Sequence, residues 1–160
     1  MLTQGINNSY NDKHRLYIIN VRVFCMDFTK EDIKVGLKNI VTDKVTEKNT
    51  AKAMGSGSLE VYATPAMTCL MEKASTEALE PLLADGWTTV GISLEVQHKA
   101  ATSMGMNVRA EAEVMAVDGR KITFAVKAFD DREEIGSGIH ERFAVMEGKF
   151  MSKAAGKAKV

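Results

Sequence analysis

The segment from Val61 to Leu83 constrains the fold of this chain most strongly, because its apolar residues repeat with helical spacing. Thr64-Pro65 is a helix-start signal, since threonine can cap free backbone N–H groups and proline in the first turn loses no hydrogen bond. At about 100° per residue, one stripe is formed by Met67, Leu70, Met71, Ala74, Ala78 and Leu82. The apolar arc is wider than that of an ordinary surface helix. We therefore expect a helix from Thr64 to about Leu83 that other elements wrap.

Glu72 is the unusual residue of this helix, because it lies among apolar neighbours. Burying a carboxylate costs several kcal/mol unless it is paired or protonated. The helix alone leaves two alternatives open: a boundary residue whose carboxylate reaches water, or a functional carboxylate with a partner elsewhere in the chain.

Length and composition exclude several classes of protein. At 160 residues the chain is long enough for one domain with a real core. Lys+Arg 21 against Asp+Glu 21 gives no basic field for nucleic acid, and no apolar run reaches the roughly 18 residues of a membrane span. Cys25 and Cys69 form no disulfide framework, and no Cys/His cluster has metal spacing. We expect a cytoplasmic protein without a metal or organic cofactor.

The chain divides into three regions. Residues 1–25 are Asn-rich and then briefly apolar, unlike the remainder, and Met26-Asp-Phe reads like a natural beginning. We expect 1–25 to be a poorly packed extension that either precedes the true start or adds an edge strand. Residues 26–150 form the domain, and residues 151–160 are a Lys/Ala-rich tail to which we assign no role.

Two elements and a loop are expected before the long helix. Residues 34–47 have strand character, and residues 48–54 can form a short helix. The loop Gly55-Ser-Gly-Ser58 that follows is either a plain connector or a mobile cover beside a site.

After Trp87 the apolar period changes from helical to two, which predicts strands. In residues 88–98 one face of the strand carries Val90, Ile92, Leu94, Val96 and His98. His98 thus lies on the same face as the apolar residues. It is either a histidine at the edge of the core, hydrogen-bonded to a backbone carbonyl, or a functional group.

Three further strands are expected downstream, with Asp118-Gly119 as the strongest hairpin signal. Residues expected to face inward on the next two strands are Val108, Ala110, Ala112, Val114, Ala116, Ile122, Phe124, Val126 and Ala128. On the last strand, Ile139, Phe143 and Val145 share one face, and the opposite face carries Gly136, Gly138, His140, Arg142 and Ala144. The sequence predicts an α+β fold in which a long helix is followed by a four-strand antiparallel meander, joined by one earlier strand. Because such a sheet leaves an edge open, we expect a dimer.

Several motifs in this order resemble the hotdog-fold thioesterases of the fluoroacetyl-CoA thioesterase type. They are Ala63-Thr-Pro65 with Leu70-Met-Glu72, Thr89-Val-Gly91, His98, Val117-Asp-Gly-Arg120 and Gly138-Ile-His-Glu-Arg-Phe143. The resemblance runs from about Met26 to Val145 and implies a hotdog fold, in which a curved antiparallel sheet wraps a central helix. It departs after His98, where prolines common in the family are missing, and at Glu60, where a proline is common.

The resemblance implies a thioester hydrolase whose site lies at a homodimer interface. It places the catalytic set on Thr64, Glu72 and His98, a contact to the thioester carbonyl on Gly91, and an arginine near the acyl-CoA on Arg142. The expected substrate is a short or small acyl-CoA, with no preference for fluoroacetyl-CoA carried over. A non-catalytic acyl-CoA or small-ligand binding module on the same fold is the alternative, and a hotdog dehydratase is less well supported.

The residues alone leave the chemistry open. Glu72 and His98 are two polar groups on apolar faces, and a helix packed in the sheet could bring them together as a pair. Glu72 could attack the thioester or activate water with His98 as general acid–base. Alternatively, Thr64 is the nucleophile, with His98 as base and Glu72 as its orienting partner. The backbone N–H of Gly91 is the candidate oxyanion donor. Arg142 could bind a phosphate or an amide of the substrate, or form a surface ion pair.

Overall fold

The computed structural model of the chain describes residues 28–158. Its elements are β1 (Lys38–Lys44), α1 (Thr64–Leu79), β2 (Trp87–His98), β3 (Asn107–Asp118), β4 (Lys121–Asp130), β5 (Glu134–Met146) and α2 (Glu147–Gly156). Short 3-10 helices span Glu47–Asn49 and Glu80–Leu82. The expected extension at residues 1–25 lies outside the described residues.

Helix α1 packs with its apolar stripe against one face of the sheet. Its buried side chains are Met67, Leu70, Met71, Ala74, Ser75, Ala78 and Leu79. Five of these belong to the predicted stripe, whereas its sixth member, Leu82, lies beyond the end of α1 and is half-buried. The buried alanines Ala110 and Ala112 of β3 leave room for the helix to lie close to the sheet. Regular α-helix ends at Leu79 and becomes a 3-10 turn, because Pro81 has no backbone N–H to continue the hydrogen-bond ladder.

The five strands form one antiparallel sheet in the order β1-β3-β4-β5-β2. The predicted four-strand meander is therefore correct only for β3, β4 and β5. β2 pairs with β5, and residues 99–106 carry the chain to β3 near the opposite edge. That crossing segment is held by a hydrogen bond from the Tyr62 N–H to the Thr102 carbonyl. Side-chain periodicity assigns faces to a strand but not neighbours, which is why the sequence did not reveal this crossover.

A β-bulge in β2 changes which residues face the helix. The pairing of β2 with β5 shifts between Gly91 and Ser93, so Ile92 is 52 % exposed while Thr89 is buried. The prediction that Ile92 shares an inward face with His98 is wrong. Because the bulge adds a residue to one strand only, Thr89 and the C-terminal residues of β2 face the same side.

Other expectations hold with smaller changes. The Asp118-Gly119 hairpin joins β3 to β4, with Gly119 at φ 57, and the inner face of β4 is buried as expected. Ala116 is exposed rather than inward, because a second bulge follows Val114. In place of the short helix expected over 48–54, a 3-10 turn at Glu47–Asn49 is followed by irregular turns. No helix in residues 28–158 is long and apolar enough to cross a membrane.

Candidate active site

The hydroxyl of Thr64 and the ring of His98 meet where α1 begins and β2 ends. The Thr64 Oγ1 atom lies 2.9 Å from His98 Nδ1. The expectation that Thr64 caps the helix is wrong, since Ala63 occupies the cap position and no side chain caps the first turn. The Thr64 hydroxyl is therefore available to His98, and Pro65 in the first turn still starts the helix as predicted.

The second ring nitrogen of His98 has no partner. His98 Nε2 is buried and makes no hydrogen bond within the described residues. A buried polar atom without a partner costs free energy that a ligand or another chain can recover. Next to this pair is a cavity of about 360 Å³ lined by Ala51, Ser56, Val61, Tyr62, Thr64, His98, Lys99, Ala100 and Ala101. The Gly55–Ser58 loop thus contributes Ser56 to its wall.

Glu72 lies in a second group of residues, beside the bulge of β2. Its Oε1 atom is 3.9 Å from His140 Nε2 and 4.0 Å from Arg142 Nη1. A Cβ atom placed on Gly91 would lie 2.7 Å from the same oxygen, so only glycine leaves room for the carboxylate there. The Glu72 side chain is 45 % exposed. The Glu72 carboxylate thus lies against His140 and Arg142 on one side and is accessible to solvent on the other.

Arg142 is buried and braced by β2 rather than paired at the surface. Its Nε donates to Thr89 Oγ1 at 2.9 Å and its Nη2 to the Thr89 carbonyl at 2.8 Å. Burial lowers the pKa of the Arg142 guanidinium, and Glu72 opposes that shift. Arginine stays protonated in proteins, so Arg142 presents a fixed positive charge beside Glu72.

His140 is fully buried and its hydrogen bonds define its tautomer. Its Nδ1 lies 2.8 Å from the Ser93 carbonyl and its Nε2 lies 3.2 Å from Arg142 Nη1. Since a carbonyl oxygen only accepts, Nδ1 carries the proton and Nε2 accepts from Arg142. Burial lowers the pKa of His140, and the charge of Arg142 acts in the same direction. The hydrogen bond to Ser93 and the Glu72 carboxylate oppose the shift without cancelling it.

The expected site residues therefore form two groups within one chain. Thr64 and His98 form one, and Glu72, Gly91 and Arg142 form the other. The direct pairing expected between Glu72 and His98 is absent within the described residues. Glu72 has an ionic contact to Arg142 and lies 3.9 Å from the neutral His140 ring, whereas His98 bonds to Thr64. Thr64 and Glu72 are eight residues apart on one helix, which separates them by about 12 Å along its axis.

Sequence reasoning missed two members of the second group, His140 and Thr89. The signal for His140 was present, because it alternates with Arg142 on the glycine-bearing face of β5. Thr89 is part of the Thr89-Val-Gly91 motif, but the alternation places it on the face opposite to His98, because the bulge that turns it inward has no signature in the sequence. In the part of the chain that the structure describes, no group of three or more His, Cys, Asp or Glu residues could hold a metal ion.

Comparison with known proteins relates the chain to one class of protein. The family model described as fluoroacetyl-CoA-specific thioesterase matches residues 45–148. A fluoroacetyl-CoA thioesterase from Streptantibioticus cattleyicolor is 42% identical over 98 residues, which are 61% of this chain and 70% of that protein.

Solved structures agree with the family match. A crystal structure of a mutant fluoroacetyl-CoA-specific thioesterase with fluoroacetate and CoA is 35% identical, with a TM-score of 0.71 over 74% of this chain and 99% of that one. A Thermus thermophilus protein described as a thioesterase superfamily member is 26% identical, with a TM-score of 0.75 over 81% and 96% of the two chains.

The helix packed on this five-strand sheet, together with the family match, defines a hotdog-fold thioester hydrolase. The chain belongs to the fluoroacetyl-CoA-specific thioesterase family. The hotdog fold and the enzyme class expected from the sequence motifs are thereby confirmed.

Proposed function

We propose that this protein hydrolyses a short or small acyl-CoA thioester to a free acid and CoA. The observation that carries the proposal is the Thr64–His98 hydrogen bond of 2.9 Å beside the cavity that both residues line. A hydroxyl held against an imidazole is the arrangement that moves protons in acyl transfer. The match to a named fluoroacetyl-CoA thioesterase supports an acyl-CoA substrate.

Thioester hydrolysis needs a nucleophile, a proton carrier and a donor for the oxyanion. We assign proton transfer to His98, with Thr64 as its hydroxyl partner. Glu72 either attacks the carbonyl or activates the attacking water, and the alternative with Thr64 as nucleophile stays open. The Gly91 backbone N–H, next to the Glu72 carboxylate, is the proposed oxyanion donor.

Arg142 is proposed to act on the thioester end of the substrate rather than on the CoA phosphates. Its guanidinium is buried and held by Thr89, so it cannot swing to a surface phosphate. Two of the five N–H groups of Arg142 are not used in the hydrogen bonds to Thr89 and His140. These stabilise negative charge on Glu72 or on the reacting carbonyl.

A homodimer completes the proposed site. One chain keeps Glu72 about 12 Å along α1 from Thr64 and leaves His98 Nε2 without a partner. β2 is an edge strand of the sheet, so a second copy can pair along it. We propose that this pairing brings Glu72, Gly91 and Arg142 of one protomer to the Thr64–His98 pair of its partner. The enzyme is proposed to be cytoplasmic and to need no cofactor, in keeping with the free thiol of Cys69.

The test is thiol release from a panel of short acyl-CoAs, with the wild type beside His98→Ala. We expect release by the wild type and a loss of at least about a hundredfold in the variant. If no thioester releases thiol while CoA esters raise the thermal stability of the protein, the chain is a binding module and the enzymatic proposal is wrong.

A further inference from the structure

The His140 imidazole connects β5 to β2 and lies beside Glu72 of α1. It lies on β5, bonds through Nδ1 to the β2 carbonyl of Ser93 at 2.8 Å, and accepts through Nε2 from Arg142 at 3.2 Å. Its carbon Cε1 would be 3.1 Å from a Cβ atom on Gly91. Both ring nitrogens are therefore engaged in hydrogen bonds, and the ring packs against Gly91 and lies next to Glu72.

We propose that His140 is a positioning residue, a neutral imidazole that holds the Arg142 guanidinium against Glu72 and ties it to the bulge of β2. Its catalytic consequence rests on the proposed function, because Arg142 and Glu72 belong to the proposed site. His140 does not exchange protons with the substrate, since neither nitrogen is free to reach it.

The hydrogen bond to Ser93 determines which ring nitrogen of His140 carries the proton. Ser93 is the first residue after the shift in register between β2 and β5, and its carbonyl can only accept. This fixes the proton on Nδ1 and leaves a lone pair on Nε2, aimed at Arg142. A histidine with the opposite tautomer would direct an N–H at the guanidinium and repel it.

The bond to Arg142 completes a three-sided frame around the guanidinium. Thr89 holds Nε and Nη2 from β2, and His140 holds Nη1 from β5. Nη1 is also the atom that lies 4.0 Å from Glu72 Oε1. Without His140, Thr89 would still bind the guanidinium of Arg142. The Nη1 group that faces the Glu72 carboxylate would then be free to move.

The charged groups around the ring are Arg142 and Glu72, with one positive and one negative charge. A charged His140 would place a second cation against Arg142 and leave Arg142 Nη1 without its acceptor. Glu72 Oε1 lies 4.0 Å from Arg142 Nη1, beyond hydrogen-bond distance, so it does not replace the lost acceptor. It lies 3.9 Å from His140 Nε2. The geometry thus favours the neutral ring over a His140–Glu72 ion pair.

Two amide substitutions separate the two bonds of His140. The amide nitrogen of Asn extends about as far as Nδ1, so His140→Asn can keep the donor to Ser93 and loses the acceptor for Arg142. The carboxamide oxygen of Gln extends about as far as Nε2, so His140→Gln can keep that acceptor and loses the donor. Both replace a buried aromatic ring by an amide, which makes each the control for the other.

We expect His140→Asn to lose kcat by about tenfold to a hundredfold, the usual cost of a misplaced catalytic group. His140→Gln should retain kcat within about threefold of the wild type although its melting temperature is no higher than that of the Asn variant. Equal kcat in both folded variants, or wild-type kcat in His140→Asn, would overturn the proposal.

A second measurement needs neither a variant nor turnover. The ¹⁵N spectrum of the His140 ring in the full-length protein should show the Nδ1–H tautomer from pH 7.5 down to about pH 6. An imidazolium or an Nε2–H tautomer over that range would overturn the proposal. If the wild type releases no thiol from any thioester, the proposed function and the catalytic role of His140 fail together, whereas the spectrum still decides its neutral, accepting state.

Discussion

Thr64 Oγ1 lies 2.9 Å from His98 Nδ1, although the two residues are 34 positions apart. Neither the helix nor the strand requires this bond for its own structure, since Ala63 occupies the cap position of α1. The hydroxyl is directed at a ring whose other nitrogen is buried and has no partner in residues 28–158. That relationship shows that the Thr64 hydroxyl does not cap the helix, and it supports the proposed reactive pair.

Replacing the Thr64 hydroxyl should reduce activity with little effect on folding. Thr64→Val should change the free energy of unfolding by about 0.5 kcal/mol or less and lower kcat by about a hundredfold or more. Thr64→Ser keeps the hydroxyl and should retain most activity. Thr68→Val is a matched control on the same helix, because the Thr68 hydroxyl bonds to the Pro65 carbonyl of its own helix. Steady-state kinetics and thermal melts distinguish these outcomes, and a folded Thr64→Val with the kcat of the wild type would contradict the proposed role of the hydroxyl.

A single methyl group on Gly91 should disturb the proposed site. In Gly91→Ala the new Cβ would lie 2.7 Å from Glu72 Oε1 and 3.1 Å from His140 Cε1, so the carboxylate must move. We expect kcat/KM to fall by about tenfold to a hundredfold. Gly148→Ala is the control, since nothing lies within 4 Å of its Cβ position. Unchanged kinetics in Gly91→Ala would contradict the placement of Glu72.

His140 should make stability depend on pH. Its pKa is lowered from 6.5, chiefly by burial, so the unfolded chain takes up a proton at a higher pH than the folded chain does. The stabilising contribution is therefore complete above about pH 6.5 and is lost as the pH falls below it. We expect the difference in melting temperature between the wild type and His140→Gln to shrink from pH 7.5 to pH 5. A difference that is constant or grows would mean that the folded ring takes up the proton.

Asp130 should contribute to resistance against acid. Burial would raise its pKa, but hydrogen bonds from the Arg132 and Glu133 N–H groups and the Thr102 hydroxyl lower it overall from 3.8. A depressed pKa gives stability that is present above about pH 4 and is lost as the pH falls through the folded value. Asp130→Asn should therefore lose stability less steeply than the wild type below pH 4 in urea titrations. Parallel curves for the two proteins would contradict this.

The parts of the fold that periodicity determines could be predicted from the sequence. The helical repeat identified the buried face of α1, and the alternation in β4 identified its inner face. His98 was expected on an inward face and lies there, at the end of β2. The order of the strands could not be read in this way, since β2 alternates equally well beside β3 or beside β5.

The site was harder to predict because one inserted residue changes its geometry. The bulge after Gly91 places Thr89 and His98 on the same side of β2, which strict alternation forbids. It also sets the Ser93 carbonyl where His140 can bond to it. Arg142 could not be distinguished from a surface arginine, since its burial depends on Thr89. The separation of Glu72 from His98 follows from the tertiary packing of α1, and the sequence contained no signal for it.

The most direct test of the account is complementation between two inactive variants, Glu72→Gln and His98→Ala. If each active site takes Glu72 from one protomer and His98 from its partner, a mixed dimer contains one intact site and one doubly altered site. Refolding the two variants together in equal amounts makes half of the dimers mixed, so thiol release should return to about a quarter of the wild-type value. Each variant refolded alone should stay inactive. Mixed dimers, verified by two affinity tags, that release no thiol would contradict a site shared between two copies of this chain.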